Sequence, residues 1–284
     1  MKIIVLGKSG QLAQELRLIS NDRDIIFFGR PSIDIANFNK LREKIISSNP
    51  DVIINTAAYT NVENAEDEQD NAFLINYKAV QNIAEICGNY EIKLVHISTD
   101  FVFDGTKRKP YDINDKPNPL NVYGLSKLHG ENSIFKKMDK GFTIIRTSWL
   151  YSEFGNNFVK KIIELMQTQD VIKVVNDQIG SPTYALGLAE HILQIIDNNQ
   201  FDGLNHWSDM GEVSWFEFAS AILKHAKKMG LIDRKVEIIP VSSSDYETKA
   251  KRPQYSSLKL NSGSAVDWEL NLKLMLSNLK TKLH

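Results

Sequence analysis

Five short, mostly apolar runs dominate the first half of this 284-residue chain. They are KIIVL at 2–6, DIIFF at 24–28, DVIIN at 51–55, KLVHIS at 93–98 and FTIIRT at 142–147. Because they lack the polar alternation of a strand with one wet face, each is predicted to be a strand buried on both faces of a parallel sheet. Between them lie helical patterns at about 11–19, 38–48, 72–87 and 123–136. This alternation predicts βαβ units and a doubly wound, Rossmann-like α/β fold.

The pattern of the chain changes after about residue 150. Short strand-like pieces (VIKVV, GLNHWS and VEIIPV) separate helical patterns near 155–167, 184–196, 214–229 and 271–282. Ser214 and Glu217 form an S-x-x-E capping box at the start of the third of these helices. We therefore predict a Rossmann-like domain over 1–150 and a smaller mixed α/β substrate lobe over 151–284, with exchange of a strand or helix between the two allowed.

Composition excludes several classes of function. The net charge is −1 and the basic residues form no single block, so charge gives no support to binding of nucleic acid or a membrane surface. The one cysteine, Cys87, rules out an intramolecular disulfide and falls in the helical pattern AVQNIAEIC, where a small core residue is expected. The N-terminal apolar run is too short for a signal peptide, and no stretch is long enough to span a bilayer. A cytoplasmic protein is expected.

A run of small residues follows the first predicted strand. Gly7, Gly10 and Ala13 give the spacing G-x-x-G-x-x-A at the start of the first helix. Glycines there permit a tight turn and a close approach of the backbone, and the helix N-terminus offers N–H groups to a pyrophosphate. The other interpretation is an ordinary strand-to-helix turn. The flanking strand and helix favour a dinucleotide site.

The next two strand ends bear on which cofactor binds. An acid that binds the adenosine ribose usually ends the second strand, but here Arg30 lies in that region, and an arginine can pair with a 2′-phosphate. This favours NADPH over NADH, although a surface arginine would look the same. Asp34 and Ile35 are expected beside the adenine. Ala57 and Ala58, at the end of the third strand, leave room for the cofactor or for close helix packing.

Polar side chains after the fourth strand and on the following helix suggest catalysis. Ser98, Thr99 and Asp100 end the strand, and Tyr123 and Lys127 lie four residues apart in NVYGLSKLHGEN. That spacing places tyrosine and lysine on one face of a helix. An ammonium close to the phenol is expected to lower the tyrosine pKa toward working pH and to bind a ribose hydroxyl of the cofactor. The tyrosine would then act as an acid or base at a carbonyl or carbinol oxygen.

With these residues the chain resembles the extended short-chain dehydrogenases/reductases that act on nucleotide sugars. Within that class it resembles the dTDP-4-dehydrorhamnose reductase family. The matching segments run from residue 7 to about 258 in the family's order: GKSGQLAQEL, PDVIINTAAYTNVENAE, HISTDFVFDGT, PLNVYGLSKLHGE, IIRTSWLY, GNNFV, NDQIGSPTYA and KRPQYSSL. STDFVFDG is the most distinctive of these segments.

The resemblance implies roles for individual residues. Tyr123 would be the proton donor to the C4 ketone, Lys127 would position the cofactor and the tyrosine, and Thr99 would hold the sugar's 4-oxygen. Asp100 and Trp149 would contact the sugar. The complete set of expected cofactor contacts is Gly7, Ser9, Gly10, Gln11, Leu12, Arg30, Asp34, Ile35, Ala57, Ala58, Tyr59, Thr60, Ile97, Tyr123 and Lys127.

The substrate's nucleotide is expected on the second lobe. Arg252 in KRPQYSSL is a candidate for its diphosphate because a planar guanidinium matches phosphate oxygens, but a surface salt bridge is an equal alternative. Asn157 in GNNF is a second candidate. The partner implied is therefore a nucleotide sugar, with no nucleic acid or membrane, and the chain is expected as a monomer or homodimer.

Some residues depart from the family's pattern. Ala13 replaces a more usual glycine, Phe101 stands where tyrosine is commoner, and Gly187 stands where aspartate is frequent. Some relatives bind magnesium at a dimer interface through glutamates, one of which matches Glu15. No second glutamate is found in LKTKLH, and the histidines show no metal-ligand spacing, so no metal is predicted.

Together these features predict reduction of the C4 ketone of dTDP-4-dehydro-L-rhamnose to dTDP-L-rhamnose with NADPH or NADH, in dTDP-rhamnose biosynthesis for cell-surface polysaccharide. Two alternatives stay open. One is a reductase of another nucleotide-linked 4-keto-6-deoxy sugar, and the other is a non-catalytic regulatory subunit that binds NADP. The set Thr99, Tyr123 and Lys127 argues against the second alternative.

Overall fold

A computed structural model describes residues 1–260 and 265–283. The strands are β1 (Lys2–Leu6), β2 (Asp24–Phe28), β3 (Val52–Asn55), β4 (Lys93–Thr99), β5 (Phe142–Thr147), β6 (Leu150–Tyr151), β7 (Val171–Val175), β8 (Ile179–Gly180), β9 (Thr183–Tyr184), β10 (Asp202–His206), β11 (Val213–Ser214) and β12 (Glu237–Val241). The helices are α1 (Gln11–Ile19), α2 (Phe38–Ser48), α3 (Val62–Ala65), α4 (Gln69–Phe73), α5 (Ala79–Asn89), α6 (Val122–Lys137), α7 (Phe158–Thr168), α8 (Ala185–Asp197), α9 (Trp215–Lys228) and α10 (Trp268–Leu283). A π-helical segment spans Leu74–Lys78, and 3₁₀ turns span Asp100–Val102 and Ser243–Asp245.

A six-stranded sheet in the order β10-β5-β4-β3-β1-β2 forms the centre of the molecule. All of its neighbouring strands pair in parallel. The winding reverses between β1 and β3, so their carboxyl ends open a crevice of the kind in which such sheets bind ligands. The Rossmann-like α/β fold predicted from the apolar runs is confirmed.

Two elements of the second half belong to the first core. The strand β10 pairs with β5, from Asp202 opposite Phe142 to His206 opposite Arg146. The helix α8 contributes Leu188, Ala189 and Ile192 to the core that also holds Leu12 and Leu16 of α1. The helices α7, α9 and α10 pack together in a separate core, whereas Tyr255 and Leu258 pack with Val102, Phe103 and Tyr111 of the first half. This is the exchange of elements that the predicted division at residue 150 allowed.

Polar side chains cap the N-termini of two helices. The side chain of Asn37 accepts a hydrogen bond from the Lys40 backbone N–H and caps α2. Ser214 and Glu217 complete a reciprocal capping box at α9. Cys87 is fully buried in α5, and burial raises the pKa of its thiol, which confirms a core cysteine. Among the helices of the described ranges, none is long and apolar enough to cross a membrane.

The helix predicted at 72–87 begins earlier and is interrupted. It starts at Gln69 and includes the π-helical segment Leu74–Lys78 before α5. The buried Asn76 in this segment accepts a hydrogen bond from the Tyr59 N–H (2.9 Å) and donates to the Tyr59 carbonyl (3.0 Å) and to Ser126 Oγ (3.0 Å). A π-segment adds a residue to one turn, and here that turn joins the loop after β3 to α6.

We expect Gly130→Ala to destabilise the protein by about 1–3 kcal/mol, although alanine is the better helix former. A Cβ at Gly130 would lie 2.3 Å from the Asn76 carbonyl oxygen, so α6 and the π-segment would have to separate. Gly187→Ala in α8 is the matched control, because its Cβ would meet nothing closer than 3.8 Å. Urea unfolding should show the control unchanged or stabilised by up to about 1 kcal/mol. Equal effects at both positions would contradict the packing argument.

Candidate active site

Two adjoining cavities follow the carboxyl ends of the central strands. The first is lined by Gly7, Lys8, Ser9, Gly10, Phe28, Gly29, Arg30, Ile33, Asp34, Ile35, Ala36, Thr56, Ala57, Ala58, Tyr59, Thr60, Glu68, Asn71, Leu74 and Ile75. The second is lined by Ser9, Gly10, Gln11, Leu12, Thr56, Ala58, Thr60, Val62, Ile97, Ser98, Thr99, Asp100, Phe101, Tyr123, Lys127, Thr147, Ser148, Trp149, Leu150, Gly155, Asn156, Trp215 and Arg252. The two share lining residues at the loop before α1. Of the predicted site residues, all except Asn157 line one or both.

The loop between β1 and α1 is shaped for a close ligand. Gly7 has φ +110°, and a Cβ there would lie 2.6 Å from Thr56 Oγ1, so only glycine fits. Gly10 is the N-cap of α1 and provides no side-chain cap. The N–H groups of the first turn are therefore left for another acceptor, and an anion is what a helix N-terminus favours.

Basic and acidic side chains border the outer end of the first cavity. Arg30 lies there as predicted, exposed, with the exposed Lys8 from the glycine loop lining the same cavity. The Asp34 carboxylate accepts a hydrogen bond from the Ala36 N–H at 3.0 Å, which turns the chain after β2. Lys8 was not predicted as a site residue, although a lysine inside a glycine-rich loop is a signal that the sequence displays.

The polar residues at the end of β4 meet α6 in the second cavity. Lys127, although buried, donates from Nζ to the Ile97 carbonyl at 2.6 Å. Thr99 Oγ1 donates to Asp100 Oδ1 (3.1 Å) and accepts from the Phe101 N–H (3.2 Å). Tyr123 lines the same cavity, close enough to the Thr99 side chain for Thr99 to affect its pKa. The structure thus brings Thr99, Tyr123 and Lys127 together.

The Tyr123 phenol is not activated in the way that the spacing suggested. Burial raises its pKa to about 12; the Thr99 side chain opposes this shift, and the charge of Asp100 adds a smaller increase. The expectation that Lys127 lowers the tyrosine pKa toward working pH is therefore wrong for this structure. Lys127 is itself buried, which lowers its pKa to about 8. Tyr123 consequently carries its proton at neutral pH, the form needed to protonate a developing alkoxide.

Asp100 is a buried carboxyl in the same cavity. It is 2% exposed, and burial raises its pKa to about 7, with smaller opposing effects from the nearby Ser256 and Thr99 side chains. Asp104, four residues on, has its pKa lowered to about 2 by hydrogen bonds from the Thr106 backbone and the Asn118 side chain. The two aspartates of one segment therefore differ strongly in their tendency to ionise.

These opposite shifts predict opposite pH dependences of stability. In the folded protein Asp100 keeps its proton between about pH 4 and 7, where the unfolded chain has lost it, so it lowers the free energy of unfolding as pH rises through that window. Asp100→Asn should therefore gain stability relative to the wild type from about pH 4 to 7, by a few kcal/mol. Asp104→Asn, the matched control, should lose relative stability as pH rises between about 2 and 4. Urea unfolding across pH measures both, and parallel curves would contradict this assignment.

Two stacked tryptophans line the second cavity. The indoles of Trp149 and Trp215 stack with centroids 3.4 Å apart and planes 7° apart. A Cβ at Gly180 would lie 2.6 Å from the Trp149 ring, so Gly180 backbone lies against that indole. Trp149 was expected near the substrate, and it lines the cavity. Trp215 was not singled out, because a tryptophan that opens an amphipathic helix looks like a core residue.

The two predicted phosphate ligands have different surroundings. Arg252 lines the cavity and also forms a 2.5 Å ion pair with Glu63 Oε1, so both alternatives drawn from the sequence describe part of its environment. Asn157 lines neither cavity. Its side chain caps α7 through the Lys160 N–H (3.1 Å) and donates to Gln11 Oε1 (2.9 Å). These are structural contacts, and Gly155 and Asn156 line the cavity beside it. The ligand role of Asn157 stays a prediction.

The glutamate that matches a magnesium ligand of some relatives is buried. Glu15 Oε1 accepts a hydrogen bond from Ser152 Oγ at 2.5 Å, and burial raises the pKa of this carboxyl to about 7. The adjacent Glu153 is bonded by Tyr184 OH (3.0 Å) and pairs with Lys282 Nζ (3.4 Å). Both carboxyl groups are thus engaged with protein side chains. Within residues 1–260 and 265–283, no group of three or more acidic, histidine or cysteine side chains could hold a metal.

A parallel sheet with a glycine loop at its switch point, and a tyrosine and lysine four residues apart on one helix, define a short-chain dehydrogenase/reductase of the extended class. Residues 1–281 match the sequence model of the RmlD substrate binding domain. The chain belongs to this family, which confirms the resemblance noted in the sequence.

Relatives with names and solved structures support the assignment. The chain is 38% identical over 265 residues to a dTDP-4-dehydrorhamnose reductase of Sinorhizobium fredii, covering 91% of this chain and 88% of that protein. The crystal structure of dTDP-4-dehydrorhamnose reductase from Bacillus anthracis in complex with NADP superposes with a TM-score of 0.92 at 37% identity, covering 98% and 100% of the two chains. A dTDP-4-keto-6-deoxy-D-glucose reductase of Streptomyces niveus is 32% identical over 257 residues, or 90% of this chain and 87% of its own.

Proposed function

We propose that this protein is an NADPH-dependent reductase that converts dTDP-4-dehydro-L-rhamnose to dTDP-L-rhamnose in dTDP-rhamnose biosynthesis. The observation that carries the proposal is the position of Thr99, Tyr123 and Lys127 in a cavity that adjoins the glycine loop. The names of the relatives give the substrate class. A regulatory subunit without activity would have no need of a protonated tyrosine beside a threonine hydroxyl at this place.

The residues of the site suit NADPH. Gly7 leaves space that a Cβ would fill, the start of α1 has no side-chain cap, and Arg30 and Lys8 offer cations to a 2′-phosphate. Lys127 lies where its ammonium can reach a ribose hydroxyl, in keeping with the Bacillus anthracis relative that binds NADP. When bound, NADPH supplies the hydride that reduces C4 of the sugar.

The chain's own residues orient the ketone and provide the proton. The hydroxyls of Thr99 and Tyr123 hold the 4-oxygen of the sugar, and Tyr123 gives its proton to this oxygen as negative charge develops there. Lys127, held by the Ile97 carbonyl, binds the cofactor. The stacked Trp149 and Trp215 offer an apolar wall to the deoxysugar. Arg252 exchanges its contact with Glu63 for the diphosphate of the substrate.

We expect Arg30→Ala to weaken NADPH binding about tenfold and to leave NADH binding nearly unchanged, because only NADPH carries the 2′-phosphate. Titration of the protein with each reduced cofactor, followed by fluorescence, measures this. Arg23→Ala is the control, since Arg23 pairs with Asp197 and lines neither cavity. An equal loss for both cofactors would show that Arg30 does not read the phosphate.

Turnover of dTDP-4-dehydro-L-rhamnose with NADPH, followed by the loss of reduced-cofactor absorbance, tests the proposed function. NMR of the product then distinguishes dTDP-L-rhamnose from its C4 epimer. The Streptomyces niveus relative supports one competing substrate, dTDP-4-keto-6-deoxy-D-glucose, which should be turned over more slowly. Faster turnover of that sugar would show that it, and not dTDP-4-dehydro-L-rhamnose, is the preferred substrate. NADPH binding without any turnover would indicate a regulatory subunit. A cytoplasmic location and a monomeric or homodimeric state stay predictions from the sequence.

A further inference from the structure

A buried ion pair lies directly behind the catalytic residues. On α6, Glu131 follows Lys127 by four residues and so lies on the same face of the helix. Its carboxylate accepts two hydrogen bonds from Arg146 of β5, Nε to Oε1 at 2.9 Å and Nη2 to Oε2 at 2.6 Å. The side chains are 1% and 3% exposed. A bidentate ion pair of this kind fixes the orientation of both side chains.

The same carboxylate also holds the end of β4. Ser98 Oγ donates to Glu131 Oε1 at 2.5 Å. The residue before Ser98 is Ile97, whose carbonyl accepts the Lys127 ammonium at 2.6 Å, and the residue after it is Thr99. One buried carboxylate therefore connects α6, β4 and β5 at the point where the reacting side chains emerge.

We propose that Glu131 is a positioning residue of this enzyme, which holds the Ile97–Thr99 segment against α6 through Ser98 and keeps the Lys127 ammonium charged. The catalytic part of this inference rests on the proposed function. The part that concerns the charge of Lys127 and cofactor binding is independent of that function. Glu131 lines neither cavity, so it acts through its neighbours and not on the substrate.

The charges around Lys127 show why a carboxylate is needed there. Burial lowers the lysine pKa to about 8, and the negative charge of Glu131 opposes this decrease. Tyr123, on the same helix, is neutral, and His96 of β4 is held neutral by burial and by the Lys127 charge. Asp100, in the turn after β4, faces Tyr123, and Arg146 of β5 is paired with Glu131 itself. Without Glu131, the ammonium would lose its proton at a lower pH.

The test is the pH dependence of NADPH affinity, measured by fluorescence titration from pH 6 to 10, a range that spans the Lys127 pKa of about 8. If a charged Lys127 is required for binding, wild-type affinity falls as pH rises through the lysine pKa. In Glu131→Gln this fall should move to lower pH. Ser98→Ala keeps both charges and should retain the wild-type pH dependence, while kcat with the sugar drops roughly tenfold or more because the strand end is no longer fixed.

Glu131→Gln leaves Arg146 buried without its partner, which can prevent folding. The double variant Glu131→Gln/Arg146→Met removes both charges and replaces the pair by a neutral, well-filled contact. It should move the fall to lower pH as well, by less than Glu131→Gln, because the Arg146 charge is also removed. Unchanged pH dependence in the folded Gln or double variant would overturn the inference, as would full kcat in Ser98→Ala. A wild type that binds NADPH but turns over no sugar would refute the proposed function and leave the binding result to decide the charge role of Glu131.

Discussion

Tyr123→Phe should lower kcat by about 10²–10⁴-fold while NADPH binds with nearly wild-type affinity. Burial keeps the pKa of this phenol at about 12, so the wild-type side chain is a proton donor at neutral pH, and phenylalanine retains its ring but has no proton to give. The ring packs edge-on against Phe101 with centroids 5.9 Å apart, a contact that phenylalanine preserves. Steady-state kinetics with the sugar and a separate cofactor titration measure the two effects.

Tyr111→Phe provides the matched control for this substitution. Tyr111 is also a buried tyrosine, but its hydroxyl bonds to Asp104 (2.8 Å), and it lines neither cavity. Loss of that hydroxyl should affect stability and leave kcat close to the wild-type value. A Tyr123→Phe variant that keeps most of its activity would show that another group or water supplies the proton, and the acid assignment would have to be abandoned.

Local signals in the sequence located much of the fold. The helices α1 and α2 occupy the predicted ranges because a glycine turn and an asparagine cap determine where they begin. In the segment HISTDFVFDG, the Asp104–Gly105 pair forms a turn, with Gly105 at φ +79° and the Asp104 carboxylate bonded to the Thr106 N–H (3.1 Å). These features depend on residues close together in the chain, which a sequence displays directly.

Features that depend on distant contacts were harder to predict. The strand β10 joins the first sheet because α8 packs on α1, and nothing near residue 202 indicates this pairing. The spacing of Tyr123 and Lys127 correctly predicted that the two residues lie on one face of the same helix. It could not predict how deeply each side chain is buried, and burial decides both pKa values. Trp215 was missed for the same reason, because its role depends on the stack with Trp149.

Thr99→Val should lower kcat by about 10²–10³-fold, because valine removes the hydroxyl proposed to turn its proton from Asp100 to the oxygen on which charge develops. Valine keeps the shape of the side chain, so loss of packing does not explain the effect. The same hydroxyl accepts from the Phe101 N–H and caps the 3₁₀ turn at Asp100–Val102, so valine also costs about 0.5–2 kcal/mol of stability. Thr99→Ser separates the two roles, since it retains donor and cap and should keep most of the wild-type kcat. If serine were as inactive as valine, the threonine methyl group would matter more than the hydroxyl, and Thr99 would be a packing residue.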